Sequence, residues 1–202
     1  MKKIIFLIVI IIIYLIYNHY SVNNINYVSI SSNNSYDKYI INDVYSYNNH
    51  FNSSTIKDLT YDIINNRTIK VDNNIYYLKK VLRESDVLVI NIGMEELTNY
   101  FNKYDMNNNY LYFNKMYLEI KELINEIKKY SFGKIIYLGY YNPTNYYDSN
   151  IDRFFYDINI KLERLMVDNN IIYLDLYELI KGNKDSLIIN KKIANSIKYY
   201  LK

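Results

Sequence analysis

The side chains with chemical potential in this chain gather where apolar runs end. DVLVINIGMEEL (86–97) passes through Gly93 into two adjacent carboxylates, Glu95 and Glu96. YVSISSNNS (27–35) closes on Ser31, Ser32, Asn33 and Ser35, IIYLGYYNP (135–143) on Gly139 and a tyrosine-rich turn, and NIIYLDL (170–176) carries Asp175. Serine nucleophiles need an adjacent base to take their proton. The chain has 2 histidines, His19 and His50, and none after residue 50. Ser and Asn after a strand are also ordinary turn formers, and that reading suits 31–35 better where no base is in view. Paired carboxylates doing glycosidase chemistry face one another across roughly 5–10 Å. Neighbours in sequence diverge unless the backbone turns between them. An oxygen-only metal site joining Glu95 and Glu96 to Asp175 or Asp148 lacks histidine and has few acids nearby. The plainer reading is that Glu96 charges the first turn of a following short helix, where the positive dipole end favours it. Tyr140, Tyr141, Tyr146 and Tyr147 offer stacking surface with a polar tip for a sugar or lipid. With 27 Tyr in the chain, composition alone accounts for them.

Composition sets bounds on these readings. The chain of 202 residues is half hydrophobic, enough to pack one domain core. Abundant Asn, Ile, Lys and Tyr have A/T-rich codons, so much of the bias reflects the genome. Net charge is +3 with Lys2 and Lys3 at the extreme N-terminus, and no one-signed stripe suited to phosphate backbones follows. Nucleic acid is therefore not an expected partner. Absence of Cys excludes disulfides, thiolate metal sites, Cys nucleophiles and a lipobox.

MKKIIFLIVIIIIYLIYNHY (1–20) begins basic and runs apolar from Ile4 to Tyr17. As a helix that run spans about 21 Å, short of a hydrocarbon core of about 30 Å, and Tyr14, Tyr17 and Tyr20 extend it into the headgroup region. The exit YNHYSVNNINY lacks the small-residue pattern of a cleavage site. Residues 1–20 read as an uncleaved signal anchor, a single transmembrane helix, followed by a linker at 21–25 and a domain at 26–202. The lysines hold the N-terminus inside, so the domain faces outward at the cell membrane. Secretion after signal cleavage is the alternative.

Beyond the linker, strand-like and helical periods alternate. Strands are expected at 26–31, 86–92, 134–139 and 171–175, parallel and apolar throughout as when covered on both faces. Helical spacing marks 36–44 (Tyr36, Tyr39, Ile40, Val44). Ser54 caps a helix with Ile56, Leu59 and Ile63 on one face. Residues 73–86 read as a helix through Ile75, Leu78, Val81 and Leu82. A long helix at 110–130 carries Leu111, Met116, Leu118, Leu123, Ile124 and Ile127, and further helices fall at 151–169 and 191–202. This predicts a three-layer α/β/α domain around a parallel sheet. In such sheets ligands bind beyond the carboxyl ends of the strands.

Taken in order, these strand ends resemble the SGNH (GDSL-type) hydrolase family over about 27 to 199. In that family a first block bears the nucleophilic serine, a second and third supply a glycine amide and an asparagine to the oxyanion hole, and a late D-x-x-H block supplies acid and base. YVSISSNNSYDKYI places Ser31, Ser32 and Asn33 where glycine, aspartate and serine would stand. HFNSSTIKDL (50–59) is similar to the second block without its glycine. VLVINIGMEEL keeps Gly93, with Glu95 in the asparagine place and Glu96 in the aspartate place. IIYLGYYNP matches a family strand ending in a Y-N-P turn. In KDSLIINKKIANSI, Asp185 matches the acid, Ile188 stands where histidine should, and the IAN helix start (193–195) is kept.

The resemblance implies a flavodoxin-like sheet and a degenerate site at Ser32, Asn33, Gly93, Glu95 and Asp185, lacking the histidine, the oxyanion asparagine and the nucleophile. It implies no cofactor and no metal. It leaves three functions open: a membrane-anchored domain that lost its hydrolase chemistry and binds at the cell envelope, an esterase or acetylhydrolase using Ser32 with Glu95 or Asp185, or an envelope spacer. The partners expected are the membrane, through the N-terminal helix, and a small ester or glycan ligand.

Overall fold

A computed structural model describes residues 8–14, 25–31, 36–41, 49–52, 55–71, 74–142, 148–180 and 185–201. The continuous apolar run of VLVIN forms β5 (Val87–Asn91), flanked by β1 (Tyr27–Ser31) and β6 (Lys134–Leu138), and these three are buried on both sides. β2 (Asn49–Asn52) and β7 (Ile172–Leu174) complete a sheet of order β2-β1-β5-β6-β7, parallel throughout. The four expected strands are present, each within two residues of its expected bounds.

Alternation along the strands divides the core into two layers. Val28, Ile30, Leu88, Ile90 and Ile135 face α3 (Ile56–Ile64), α4 (Leu78–Glu84), α6 (Met106–Lys128) and α7 (Ser149–Asp168). Tyr27, Val87, Val89, Ile136 and Leu138 face α2 (Lys38–Ile41) and α9 (Ser186–Tyr200). The three-layer α/β/α architecture is thus present. A short α5 (Met94–Tyr100) follows β5, and α8 (Leu176–Ile180) follows β7.

Several local expectations are corrected. NHFN pairs with β1 as an edge strand, although one apolar residue in four gives it no periodic signal. Residues 73–86 are not one helix. β4 (Asn74–Tyr77) pairs antiparallel with β3 (Thr68–Val71), and only from Leu78 does the chain coil. The helical spacing of Leu78, Val81 and Leu82 is real, but backbone pairing captures Ile75 first and leaves it exposed. α6 begins at Met106 because Asp105 accepts from Asn108 N at 3.3 Å and caps it there. Its buried face is Phe113, Met116, Ile120, Leu123, Ile124 and Ile127, while Leu111 and Leu118 are 66% and 64% exposed. Thr55, not Ser54, caps α3, accepting from Asp58 N at 3.0 Å.

Residues 8–14 form the first helix, α1, with their apolar side chains exposed. Among the described residues no helix is long and apolar enough to cross a membrane. The rest of the expected anchor, most of the linker and the Y-N-P turn at Pro143 lie outside the described residues.

Candidate functional site

Parallel strands bring Ser31, Gly93, Gly139 and Asp175 to one edge of the sheet. At Gly93 the chain takes φ 93°, a left-handed conformation that glycine adopts without a Cβ penalty, and α5 starts at once. A Cβ there would sit 2.3 Å from Tyr140 Oη and 2.9 Å from Ile56 Cδ1. Glycine thus ends the strand and lets the backbone pass close to the edge.

The two carboxylates that follow part company. Glu95 is exposed on the first turn of α5. Glu96 turns inward, and its Oε2 accepts from Ile56 N at 2.9 Å. That amide belongs to the first turn of α3, one of the donors a helix leaves unpaired. Glu96 therefore sits in the first turn of its own helix and caps another. Burial pushes its carboxyl above the ordinary range, with Glu119 and Asp58 adding to the effect, while the Ile56 bond and Lys57 oppose it. The pair cannot act together on one substrate atom.

Tyrosines fill the space over β5, β6 and β7. Tyr140 Oη donates to Ile92 O at 3.0 Å and lies 3.0 Å from Tyr137 Oη. Asn159, on the apolar face of α7, accepts from Tyr140 N at 2.8 Å and from Tyr173 Oη. Its amide donates to Tyr140 O at 2.7 Å and Phe155 O at 2.8 Å. Every polar atom of that side chain is paired, as burial demands. Burial drives the phenols of Tyr137, Tyr140 and Tyr173 far above their ordinary value, so they stay neutral. Tyr140 is fully buried and lines no groove, contrary to the stacking role open to it in the sequence. Tyr141 is half-buried, and Tyr146 and Tyr147 lie outside the described residues.

At the end of β1, Ser29 and Ser31 are buried, and their hydroxyls find no hydrogen bond among the described residues. Beside them Tyr27 Oη donates to buried Asp37 Oδ1 at 2.8 Å. Ser32 and Asn33, the candidate nucleophile positions, lie outside the described residues. His50 pairs in register with Ser29 across the β1–β2 ladder. Asp185 is the N-cap of α9, accepting from Leu187 N at 2.8 Å and Ile188 N at 3.4 Å, and Ile188 on the same turn is exposed. Asp148 caps α7 and Asp175 accepts from Tyr177 N at 2.8 Å. Among the described residues no three His, Asp or Glu side chains converge as metal ligands.

Next to Glu96, between α3, α5 and α6, opens a cavity of about 360 Å³. This is within the size range of small-molecule sites. Tyr100 and Tyr112 stack at 4.1 Å with planes 19° apart along one wall. Lys57 pairs with Glu119 at 3.2 Å, and Lys115 adds a second cation. Burial first, then the nearby charge of Glu96, pushes the Tyr112 phenol up to about 12. None of these residues except Glu96 was marked by the sequence, because three separate elements contribute them and only packing brings them together. Asn159 was missed too, though a polar residue among the apolar positions 151, 154, 155, 158 and 162 is a signal that was there to read.

No family model matches the chain, and no curated protein sequence does. Solved structures do. The acetylxylan esterase of Geobacillus stearothermophilus is similar at a TM-score of 0.61 and 10% identity, covering 89% of this chain and 94% of that one. A lipase from a goat rumen metagenome reaches 0.65 at 11% identity, covering 87% and 96%. The extracellular lipase of Streptomyces rimosus reaches 0.55 at 12%, covering 78% and 82%. The chain has the fold of the SGNH hydrolases.

Proposed function

We propose that this is a membrane-anchored protein facing out of the cell, in which an SGNH-hydrolase fold has lost its hydrolytic chemistry and serves binding at the cell envelope. One observation carries the reading: the acid position holds no acid–base pair. In the acetylxylan esterase, catalytic variants alter a serine and an aspartate and histidine at D-x-x-H spacing. Here Asp185 is engaged by the amides of its own helix, and the third residue after it is Ile188. No histidine follows residue 50 to replace it. The tyrosine–asparagine packing over Gly93 and Gly139 supports the same reading, since it occupies the strand ends where a substrate crevice would open.

The ligand that fits is a small neutral ester or glycan, held in the cavity beside Glu96. Its lysines and glutamates balance in charge, which disfavours an ion. Tyrosine faces with flanking donors and acceptors suit an apolar ring face bearing hydroxyls. The basic start, the apolar run 4–17 and the exposed apolar helix at 8–14 support the anchor.

The test is turnover of short-chain aryl esters by the full chain in detergent, with a serine-directed fluorophosphonate probe alongside. Hydrolysis at the buffer rate and no labelled serine are expected. Hydrolysis abolished by Ser32→Ala would establish an active esterase and overturn the proposal.

A further inference from the structure

We infer that the edge of the sheet where the strands begin rests on the bilayer, with the rings of Phe132 and Tyr199 seated among the lipid headgroups. This rests on the anchored reading above. Because β1, β5, β6 and β7 are parallel, their first residues share one edge. The contacts there close it into a single surface: Asp86 N donates to Asn26 O at 2.9 Å, Lys134 N to Asp86 O at 2.8 Å, and Lys134 Nζ to Tyr200 O at 3.0 Å. The turn after α6 and the end of α9 therefore lie beside the point where the chain enters β1. Phe132, in that turn, is 78% exposed, and Tyr199, near the end of α9, is 71% exposed. A single exposed apolar side chain is unremarkable. What distinguishes these two is their place beside the tether.

The tether is short. Residues 21–25, fully extended, span at most about 17 Å. A domain of the size of 26–202 has a radius of gyration of about 16 Å and hence a diameter of about 40 Å. The domain cannot swing its opposite edge to the membrane on such a lead, so the strand-start edge is the one kept within reach of the headgroups. The ring of Tyr199, with one apolar and one wet end, is favoured at that depth, and the all-carbon ring of Phe132 seats slightly deeper, at the boundary of headgroup and acyl chain. Basic and acidic side chains nearly balance on this edge (Arg83, Lys128, Lys129, Lys134 and Lys198 against Glu84, Asp86, Glu126 and Asp168). The seat is therefore aromatic rather than electrostatic, and it does not require anionic lipid.

The chain contains no tryptophan, so one introduced ring reports alone. Phe132→Trp, Tyr199→Trp and Tyr104→Trp are made in the full chain and reconstituted in phosphatidylcholine vesicles carrying a nitroxide near the headgroup. Tyr104 is the control: it is exposed just before α6, whose 23 residues separate it from position 132 by about 34 Å. Probes at 132 and 199 are expected to emit further to the blue and to be quenched several-fold more than the probe at 104. High salt or anionic lipid should leave that difference unchanged. If the chain floats with the vesicles but the probe at 132 behaves like that at 104, the seat is refuted and the anchor stands. If the chain does not float with them, the anchored reading fails and the seat falls with it.

Discussion

Gly93→Ala tests whether the strand end is held as tightly as its geometry implies. The residue has φ 93°, and an L side chain in the left-handed region costs about 1–2 kcal/mol. The added methyl would lie 2.3 Å from Tyr140 Oη, so the phenol must move. That hydroxyl is bonded to Ile92 O and lies against Tyr137 Oη, both at 3.0 Å and fully buried. Leaving such groups unpaired costs about 1–3 kcal/mol. Together the loss is about 4 kcal/mol, which for a domain of this size lowers Tm by about 8–16 °C. Thermal unfolding of the full chain in micelles, followed by circular dichroism, measures it. A double-mutant cycle with Tyr140→Phe isolates the cause, because that change removes the oxygen the methyl meets. The two substitutions together should then cost at least about 1 kcal/mol less than the sum of each alone. A Tm drop under about 3 °C, or strict additivity, would refute the close packing of Tyr140 on Gly93.

Two further outcomes follow from the site. Asp185→Ala should destabilise by about 1 kcal/mol through loss of the α9 cap, Asp185→Asn should be nearly neutral, and neither should alter ester hydrolysis. A fall in hydrolysis with Asp185→Asn at unchanged Tm would instead give that carboxylate the catalytic acid role. Glu96 has a carboxyl raised above its ordinary 4.5, so the folded state holds its proton more tightly than the unfolded state. Its contribution is complete below that value and is lost as pH rises through the raised one. Urea midpoints from pH 4 to 7 should fall more for the wild type than for Glu96→Gln, and equal slopes would show that burial does not govern Glu96.

The fold was legible where the signal is local. A continuous run such as VLVI has few alternatives to a covered strand, and the 3.6-residue spacing in FFYDINIKLERLM reflects a helix lying on one face. Legibility failed where pairing is with distant residues. NHFN is a strand because β1 offers it a free edge, and Ile75 joins β4 because Lys70 lies opposite. Neither fact is in the segment itself. The apolar spacing also placed Leu111 and Leu118 inside. They face outward because the buried stripe of α6 is set by its contacts with α3 and α7, which Phe113, Met116 and Ile120 fill first.

The candidate site divides in the same way. The sequence by itself determined that no histidine is available late in the chain and that a glycine must turn the end of the central strand. Absence of a residue type is final wherever the chain goes, and a turn after a buried strand is a local requirement. Only the tertiary structure decided what the carboxylates do. Glu95 and Glu96 are equivalent as letters, but one meets solvent and the other meets the amide of Ile56, 40 residues earlier in the chain. Asp185 likewise has an acid's place in the resemblance and a cap's place in the fold. A carboxylate takes its role from the donor that three-dimensional packing brings to it, and that donor is not written beside it.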